Sequence, residues 1–408
     1  MNKIIFCKKC LYSNLHPLGL TFDEKGVCSG CNFHNEKNTL DWSKRLTDIE
    51  KLVKPYRSKK NNYDCIVPVT GSNDSYYTLH VVKNVLKLHP LVVSYNNYFN
   101  TPLGIKNLSN LRIKFDVDII FRNTNPLSVK KIVKTTLRKI GSVYWHSIAG
   151  QTVLPVQTAV NYKIPLIFWG AHEGMEQVGM FSHLNNIEMT RRYRKDHHLM
   201  GFEAEDLISH DDTLSEDEIF QYIYPSDEKI NSIGIRGLYL GNYFRWDPKK
   251  QHEQMIKRYD YKTSNFNRTF DNYDYTSCYV YMDLHDKIKL YKHGFSKVTD
   301  HACREIRHQR ISRNEALKLV KKYELKNIKF LKLFCNWLGI NEDGINFALN
   351  QFRNKKHWKE TSPNTWKFKG LSTLMKLEKK DKKIRKYEFI NNSSLNLGQN
   401  DNYVTFGK

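Results

Sequence analysis

Between residues 63 and 184, short apolar runs alternate with segments of helical spacing. The apolar runs at 65–69, 91–95, 117–121 and 165–169 predict strands, and the segments 75–88, 127–140 and 152–162 predict helices. Strands that are apolar throughout are typical of a sheet buried on both faces. The pattern therefore predicts an α/β fold with a parallel sheet flanked by helices and right-handed crossovers.

The segments on either side of this region have different patterns. Residues 41–56 predict an amphipathic helix, with Trp42, Leu46, Ile49 and Val53 on one face. Beyond residue 184 the alternation fades and helical patterns dominate. Residues 312–323 start with a capping-box signature, in which Ser312 is followed three positions later by Glu315.

Composition is compatible with a large folded protein. The chain has 408 residues, of which 40% are hydrophobic, which is enough for two or three structural units. No apolar run is long enough to span a bilayer, and the N-terminus lacks the apolar region and cleavage site of a signal peptide. We expect no membrane insertion and a cytoplasmic location.

The chain is strongly basic, with 65 Lys and Arg against 42 Asp and Glu and a formal charge of +23. Such a balance is also typical of nucleic-acid binding. Because Lys and Asn are abundant along the whole chain, we interpret the charge as a compositional bias that also suits an anionic small-molecule substrate. A nucleic acid is not expected as a partner.

Four of the eight cysteines form two Cys-x2-Cys pairs, Cys7 with Cys10 and Cys28 with Cys31. A two-residue gap lets both thiolates of a pair face the same ion, and two such pairs complete a tetrahedral zinc site. Four thiolates leave no open coordination position, so the Zn²⁺ is expected to be structural. Two disulfides or four free thiols are the alternatives, and a cytoplasmic location disfavours the disulfides.

These patterns divide the chain into five predicted units. They are a zinc-ribbon knuckle at 1–40, a linker helix at 41–62, an α/β domain at 63–184, a mainly helical substrate-binding region at 185–358, and a basic, weakly structured tail at 359–408.

The loop that follows the first predicted strand carries the clearest candidate chemistry. Its small residues present backbone N–H groups to an anion at the start of a helix, where the helix dipole adds to the attraction. Asp74 is placed to hold Mg²⁺ against phosphate oxygens, and Thr70 and Ser75 to donate hydrogen bonds. The alternative is an ordinary strand-to-helix turn with Ser and Asp capping. The loop comprises Thr70, Gly71, Ser72, Asn73, Asp74 and Ser75.

This loop resembles the SGGxDS signature of PP-loop ATP pyrophosphatases. It departs from the signature at Thr70, which keeps the hydroxyl, and at Ser72, where glycine would tolerate a positive φ more readily. The resemblance implies that all six loop residues bind ATP with Mg²⁺, and that Asp74 and Ser75 take part in catalysis.

Further segments resemble the N-acetyl sugar amidotransferase family, whose members form amidines in surface-polysaccharide (LPS O-antigen and nonulosonate) biosynthesis. The resemblance covers roughly residues 5–325. It includes, in this order, 20–31 (LTFDEKGVCSGC), 90–111, 145–176, 239–248 (YLGNYFRWDP) and 293–320.

The family resemblance implies a reaction. An acetamido group of a nucleotide-activated sugar is adenylylated on oxygen with release of pyrophosphate, and ammonia then displaces AMP to leave an acetamidino group. It also implies partners: a separate glutaminase that supplies ammonia, and a cyclase-like barrel subunit related to imidazole glycerol phosphate synthase.

Several residues near predicted strand ends are candidates for binding ATP. Ser94, Tyr95 and Asn96 follow the second strand, at the edge where an open α/β sheet binds its ligand, and are candidates for the adenine pocket. An ordinary strand end is the competing interpretation. Gly150, with its two neighbours, is predicted to open a helix and bind an anion, and Gly170 lies at the next strand end.

Candidates for acid–base chemistry and substrate binding lie further along the chain. Where the family has an acid, this chain has Ala171, so Glu173 or Glu176 is predicted to replace it. Arg307 and Arg313 are predicted to clamp substrate phosphates, because a guanidinium matches phosphate bidentately. Exposed helix charges are the competing interpretation for both arginines.

Two other functions remain open from the sequence. A PP-loop enzyme that modifies tRNA, such as a thiolase, is one, although no catalytic cysteine pair or RNA-binding module is evident outside the ribbon. The other is a catalytically decayed scaffold of the same fold, in which Ser72 and Ala171 mark a lost active site.

Overall fold

A computed structural model describes residues 4–58, 61–208, 214–274, 276–278, 280–378, 388–392 and 404–405. The predicted basic tail falls partly outside these ranges. Its Lys-rich stretch at 379–387 and most of its Asn- and Ser-rich end are not described.

The centre of the fold is a five-stranded parallel sheet. Its strands are Cys65–Pro68 (β1), Pro90–Tyr95 (β2), Ile119–Arg122 (β4), Leu166–Trp169 (β5) and Arg236–Tyr239 (β6), in the spatial order β4-β2-β1-β5-β6. Shorter strands lie outside this sheet: Phe99–Asn100 (β3) pairs with Val404–Thr405 (β9), and Trp358–Ser362 (β7) pairs with Thr365–Phe368 (β8).

Helices surround the sheet and form the C-terminal half. They are α1 (Ser29–Glu36), α2 (Trp42–Val53), α3 (Asn73–Leu79), α4 (Pro102–Phe115), α5 (Pro126–Ile140), α6 (Trp145–Tyr162), α7 (Glu173–Val178), α8 (Arg191–Tyr193), α9 (Ala204–Ile208), α10 (Glu216–Ile219), α11 (Asp227–Ile233), α12 (Pro248–Tyr259), α13 (Val280–His293), α14 (Lys297–Arg307), α15 (Arg313–Tyr323), α16 (Leu331–Leu338), α17 (Glu342–Asn350) and α18 (Leu371–Leu374). Short 3₁₀ turns occur at Lys54–Tyr56, Phe220–Tyr222 and Leu240–Asn242, and π-helical turns at His80–Val85 and Arg194–His198.

Helices cover the sheet on both faces. Cys65 and Val67 of β1 belong to a core that includes residues of α2, α3, α4 and α12. Ile66, between them, belongs to the opposite core with residues of α5 and α6. Successive strand residues point to opposite faces, so a strand buried on both sides must be apolar throughout. The predicted fold class is thereby confirmed.

The sheet extends further along the chain than the sequence pattern indicated. β6 lies beyond residue 184, where the α/β domain was predicted to end, and it pairs in parallel with β5 from Leu166↔Arg236 to Trp169↔Tyr239. The strand has only four residues, and Arg236 and Gly237 at its start weaken its apolar signal. The helical region is therefore continuous with the sheet domain.

The N-terminal ribbon packs against the C-terminal helices. Cys7, Cys10 and Leu11 share a core with Val298 and Ile306 of α14 and with residues of α15. A separate core joins α5 to α13, α16 and α17. Within the described residues, the helices are too short or too polar for any to cross a bilayer.

Candidate functional site

The loop at residues 70–75 joins the end of β1 to the start of α3. The Thr70 N–H donates to Ser75 Oγ (3.0 Å), and the hydroxyls of Thr70 and Ser72 lie 2.8 Å apart. These bonds close the loop on itself and turn its hydroxyl groups toward one another. The site thus offers several hydroxyls beside a helix start, an arrangement that suits a phosphate group.

Gly71 and Ser72 have different backbone conformations. Gly71 has φ +75°, and a Cβ there would lie 3.0 Å from the Gly104 carbonyl oxygen and from Leu108 Cβ. Ser72 has φ −84° and ψ 173°, an extended conformation that any residue adopts. The serine at position 72 therefore introduces no backbone strain, and the glycine at position 71 is the one that the turn requires.

The loop borders a cavity of about 270 Å³, called here the switch-point cavity. After β1 the chain proceeds to β2 and β4 on one side of the sheet, then returns to place β5 on the other side of β1. Ligands of open α/β sheets bind outside the carboxyl ends of the strands at such a reversal. The wall includes Thr70, Ser72, Asp74 and Ser75 from the loop, Tyr95 from β2, Gln151 from α6, and Gly170 and Ala171 after β5.

Of the adenine-pocket candidates, Ser94 and Asn96 are less directly placed for binding a ligand than Tyr95. The Tyr95 ring lines the switch-point cavity, while its hydroxyl lies 2.7 Å from the Tyr222 hydroxyl. Ser94 and Asn96 are both buried. The Asn96 amide donates to Asn123 Oδ1 (2.7 Å), and its oxygen accepts from the Tyr98 N–H (2.9 Å). Asn96 is therefore engaged in holding the chain after β2.

The prediction that Gly150 opens a helix is wrong. α6 begins at Trp145, so Gly150 lies more than a turn inside the helix and its N–H group belongs to the helix. A Cβ at this position would lie 2.3 Å from Tyr95 Cε2. Gly150 therefore lets the Tyr95 ring pack against α6, and an anion-binding turn is absent from this point of the described chain.

Asp74 faces a second, larger cavity of about 450 Å³, the central cavity. Its Oδ1 lies 3.1 Å from Nε2 of His252, a buried residue of α12. The side chain of Asp74 is itself half exposed. Thr70, Ser72, Gln151 and Ala171 line both cavities, which therefore adjoin along the loop.

Helix α14 supplies a charged wall of the central cavity, of which the sequence analysis identified Arg307 alone. Its wall residues are Lys297, Asp300, His301, Arg304 and Arg307, followed by His308. They recur at intervals of three or four positions, so they share one face of the helix. This spacing was readable in the sequence, but charged residues at helical spacing usually indicate a solvent-exposed face. Here the face is directed into the molecule, because the ribbon packs against α14 and the loops after β1 and β5 line the same cavity.

The two candidate acids have different surroundings. Glu173 is the first residue of α7 and lines both the central cavity and a small cavity toward Tyr193. Its Oε1 accepts from Gln177 Nε2 (2.6 Å). Glu176 is bonded to the buried Lys37 ammonium group (2.6 Å), which ties α7 to the ribbon. Glu173 is therefore the better placed of the two to act on a ligand.

His172 acts as a cap. Its Nδ1 accepts from the Met175 N–H (3.4 Å) at the start of α7, and burial lowers the pKa of the imidazole to about 4. It is neutral at physiological pH.

The two candidate arginines both contact the ribbon. Arg307 is buried, donates to the Glu176 carbonyl oxygen (2.8 Å), and lies 3.8 Å from Cys28 Sγ through Nη2. It also lines the central cavity. Arg313 donates to the carbonyl oxygens of Cys10 (3.2 Å) and Cys7 (3.1 Å), and pairs with Glu378. These contacts commit the Arg313 guanidinium to holding the first knuckle.

The four ribbon cysteines converge as predicted. Their sulfur atoms all lie within 4.8 Å of one another, all four side chains are buried, and Cys10 Sγ is 3.6 Å from Cys28 Sγ. The N–H groups of Lys9, Cys10 and Cys28 donate to Cys7 Sγ at 3.3 to 3.4 Å. Hydrogen bonding with the sulfurs of Cys10, Cys28 and Cys31, together with the Cys10 N–H bond, holds the pKa of the Cys7 thiol well below its usual range. Converging sulfurs with backbone donors fit a metal or iron–sulfur site.

Comparison with known proteins gives one family match. Residues 263–372 match the model of the C-terminal domain of WbpG-like LPS biosynthesis proteins. The matched segment contains α13 and α14, and therefore most of the charged wall of the central cavity. The match supports the family resemblance found in the sequence.

More distant similarities were also found. The uncharacterized protein MJ1599 of Methanocaldococcus jannaschii is 24% identical over 117 residues, which are 29% of this chain and 42% of that protein. An NH₃-dependent NAD synthetase from Campylobacter jejuni superposes with a TM-score of 0.29 and 10% identity, over 48% of this chain and 95% of its own. The U34-tRNA thiolase NcsA of Methanococcus maripaludis, which holds a 4Fe–4S cluster, superposes with a TM-score of 0.28 and 10% identity, over 76% of this chain and 88% of its own.

Proposed function

We propose that this chain is an ATP-using enzyme of the PP-loop class that converts an acetamido group of a nucleotide-activated sugar into an acetamidino group during LPS biosynthesis. The observation that carries the proposal is the pair of adjoining cavities. One lies at the reversal point of a parallel sheet beside a hydroxyl-rich loop, and the other is walled by the cations of α14. The WbpG-like match over residues 263–372 supports the biosynthetic setting.

The proposed chemistry has two steps. The acetamido oxygen attacks the α-phosphorus of ATP, the bond to the β-phosphate oxygen breaks, and pyrophosphate leaves. Ammonia then attacks the imidate carbon, and AMP departs with the former acetamido oxygen. An amide oxygen is a poor leaving group and AMP is a good one, so the protein's contribution is to position the two reactants and neutralise developing charge.

The residues of the two cavities match these needs. The loop hydroxyls and N–H groups bind ATP phosphates, and Asp74, oriented by His252, binds Mg²⁺. Lys297 of α14 lines the same cavity and stabilises the departing pyrophosphate. Glu173 is placed at the cavity junction to accept a proton from the attacking ammonia.

The ribbon is proposed to hold a single Zn²⁺. Tetrahedral thiolates at a metal–sulfur distance of 2.3 Å lie about 3.8 Å apart, and Cys10 Sγ and Cys28 Sγ are 3.6 Å apart. In a cubane cluster each thiolate binds a different iron, which spreads the sulfurs further. Metal analysis distinguishes a single Zn²⁺ from an iron–sulfur cluster. We expect the protein to contain zinc and neither iron nor labile sulfide.

The source of ammonia is proposed to be a separate glutaminase acting through a cyclase-like barrel subunit. This part rests on the family resemblance. It predicts that the isolated chain uses ammonium salts, and that glutamine becomes a nitrogen donor only when both partner subunits are added.

The test is incubation with ATP, Mg²⁺, ammonium and a panel of nucleotide-activated diacetamido sugars, followed by mass spectrometry. We expect AMP, pyrophosphate and a sugar with NH in place of one oxygen. With a heavy-isotope label on the acetamido oxygen, the label should appear in AMP. Asp74→Asn should lower the rate at least about 100-fold, while Asp217→Asn, an exposed acid of α10, serves as the matched control.

Other outcomes would overturn the proposal. Product formation without label in AMP would exclude the O-adenylyl route. Consumption of ATP only in the presence of tRNA, with steep salt dependence, would favour a tRNA-modifying enzyme. Absence of ATP binding by zinc-loaded protein, with sugar and partner subunits present, would favour a scaffold.

A further inference from the structure

A third cavity of about 350 Å³, the α13 cavity, lies between α6 and α13. Ile148 of α6 and Tyr144, the residue before that helix, form one wall, and Met282, Asp283 and His285 of α13 form another. Gln151 and Glu173 line both this cavity and the central cavity, so the two adjoin where Glu173 lies. A ligand in the α13 cavity would thus have one end beside the proposed reaction centre.

Buried polar atoms in this wall lack hydrogen-bond partners. Asp283 is 6% exposed, and its Oδ2 accepts no hydrogen bond from the described residues. The same holds for Nδ1 of His285 and Nδ1 of His198, which also line the cavity. Buried polar groups are nearly always paired, because leaving one unpaired destabilises the folded state. Three such groups around one cavity indicate a polar occupant.

The cations near this cavity are largely neutralised. Arg268 is bonded to Asp286 (2.7 Å), and Lys289 is bonded to Asp300. Lys297 and Glu173 line the junction with the central cavity and carry opposite charges, and the other polar groups of the lining are neutral or close to it. Burial lowers the pKa of His285 to about 4 and raises that of Tyr144 to about 12, and it raises the pKa of Asp283 to about 7. The lining therefore favours an uncharged, hydrogen-bonding ligand over a phosphate.

Apolar side chains complete the wall. Ile148, Phe266 and Met282 lie among the polar groups. Apolar surface interspersed with a few hydrogen-bonding groups suits a ring that has one apolar face and polar substituents. Lys297, which lines both this cavity and the central cavity, lies where such a ring would join a charged group.

We propose that the α13 cavity binds the uncharged ring of the acceptor, a pyranose bearing hydroxyl and amide groups, with Asp283 as a principal hydrogen-bonding residue. This inference rests on the proposed function. The nucleotide of the acceptor would lie toward the central cavity and Lys297, and the reacting acetamido group toward Glu173.

Filling the cavity tests the proposal. Ile148→Trp places a large ring in the α13 cavity and leaves the switch-point cavity intact, because Ile148 does not line the latter. With the panel sugar that gives product, we expect the KM for the sugar to rise at least about tenfold and the Kd for ATP, measured by calorimetry, to stay within twofold. Ile148→Val is the matched control and should leave both constants unchanged.

Asp283 provides a second variant in case the tryptophan prevents folding. Asp283→Leu removes the hydrogen-bonding group and should raise the KM for the sugar about tenfold. Asp283→Asn keeps a hydrogen-bonding group of the same shape, so its KM for the sugar should return most of the way to the wild-type value. A purely structural role for Asp283 would not require this recovery.

The outcomes separate this inference from the proposed function. If product forms and the KM for the sugar is unchanged in folded Ile148→Trp and Asp283→Leu, the α13 cavity is not the acceptor site and the proposed reaction stands. If no sugar of the panel gives product with wild-type protein, the proposed function fails and this inference fails with it.

Discussion

Gly71 is the residue of the loop whose backbone tolerates substitution least. Gly71→Ala would force a side chain into a left-handed conformation, at a cost of about 1–2 kcal/mol, and against Gly104 and Leu108 at 3.0 Å. We expect a lower melting temperature and an ATP affinity reduced at least about tenfold by displacement of the loop. Gly234→Ala is the matched control, since Gly234 has φ +71° with open space around it. It should lower stability and leave the ATP affinity unchanged, and an equal loss of affinity in both variants would contradict the prediction.

Because Asp283 is buried, we expect Asp283→Asn to increase the stability of the protein by an amount that depends on pH. Burial raises the pKa of Asp283 from 3.8 to about 7; nearby Asp286 adds to this effect, and Arg268 and Lys329 oppose it. The folded state therefore holds the proton more tightly, so the free energy of unfolding falls as the pH rises from about 4 to 7. The full penalty, as much as about 4 kcal/mol, is present above pH 7.

Asp283→Asn removes this ionisation. Its gain in melting temperature over wild type should therefore be larger at pH 8 than at pH 4.5. Asp217→Asn, at an exposed position, should show a difference that does not vary with pH. A pH-independent effect of Asp283→Asn would mean that the carboxyl group titrates normally.

Helix α15 shows how a local sequence signal becomes a structural contact. The Ser312 hydroxyl accepts from the Glu315 N–H (3.1 Å), and the Glu315 carboxylate accepts from the Ser312 N–H (2.8 Å), as the capping-box spacing predicted. Ser312→Ala should lower the free energy of unfolding by about 1 kcal/mol, measured by urea denaturation. Ser43→Ala in α2 is the control, because Asp41 caps that helix, and an equal loss in both variants would contradict a capping role for Ser312.

The sequence revealed the structural features that depend on residues close together in the chain. Strand burial, the capping box and the cysteine spacing each depend on neighbours in the chain. The helix that contains Gly150 was misplaced because its first turn, from Trp145, was not recognised as helical. The charged face of α14 and the pairing of His252 with Asp74 depend on elements far apart in sequence, and no local pattern indicates what they face. The fold class and the loop could thus be predicted, whereas the position of His252 and most of the charged face of α14 could not.

The ribbon forms part of the wall of the central cavity as well as a separate metal site. Tyr12, from the first knuckle, donates to Asp300 of α14 (2.7 Å), and the His34 ring of α1 lies 4.6 Å from the His308 ring. Arg307 lies between Cys28 and the cavity. Gly30 leaves room for the Arg307 guanidinium, since a Cβ at position 30 would lie 2.4 Å from Arg307 Nη2. A change in the structure of the ribbon should therefore alter the positions of the residues that face the ligand.

Metal removal is expected to weaken both the fold and ligand binding. Without an ion the sulfurs take up protons and lose the bonds that hold them together, and α14 loses the packing that places Arg307 and Asp300 in the cavity wall. We expect Cys10→Ser, or treatment with a strong chelator, to abolish zinc content, lower the melting temperature and weaken ATP binding in calorimetry. Cys335→Ala, a buried cysteine of α16 remote from the ribbon in sequence and in a different core, should keep its zinc and its ATP affinity. If metal-free protein keeps the melting temperature and ATP affinity of wild type, the ribbon does not support the cavity, and packing against α15 holds the charged face of α14 in place.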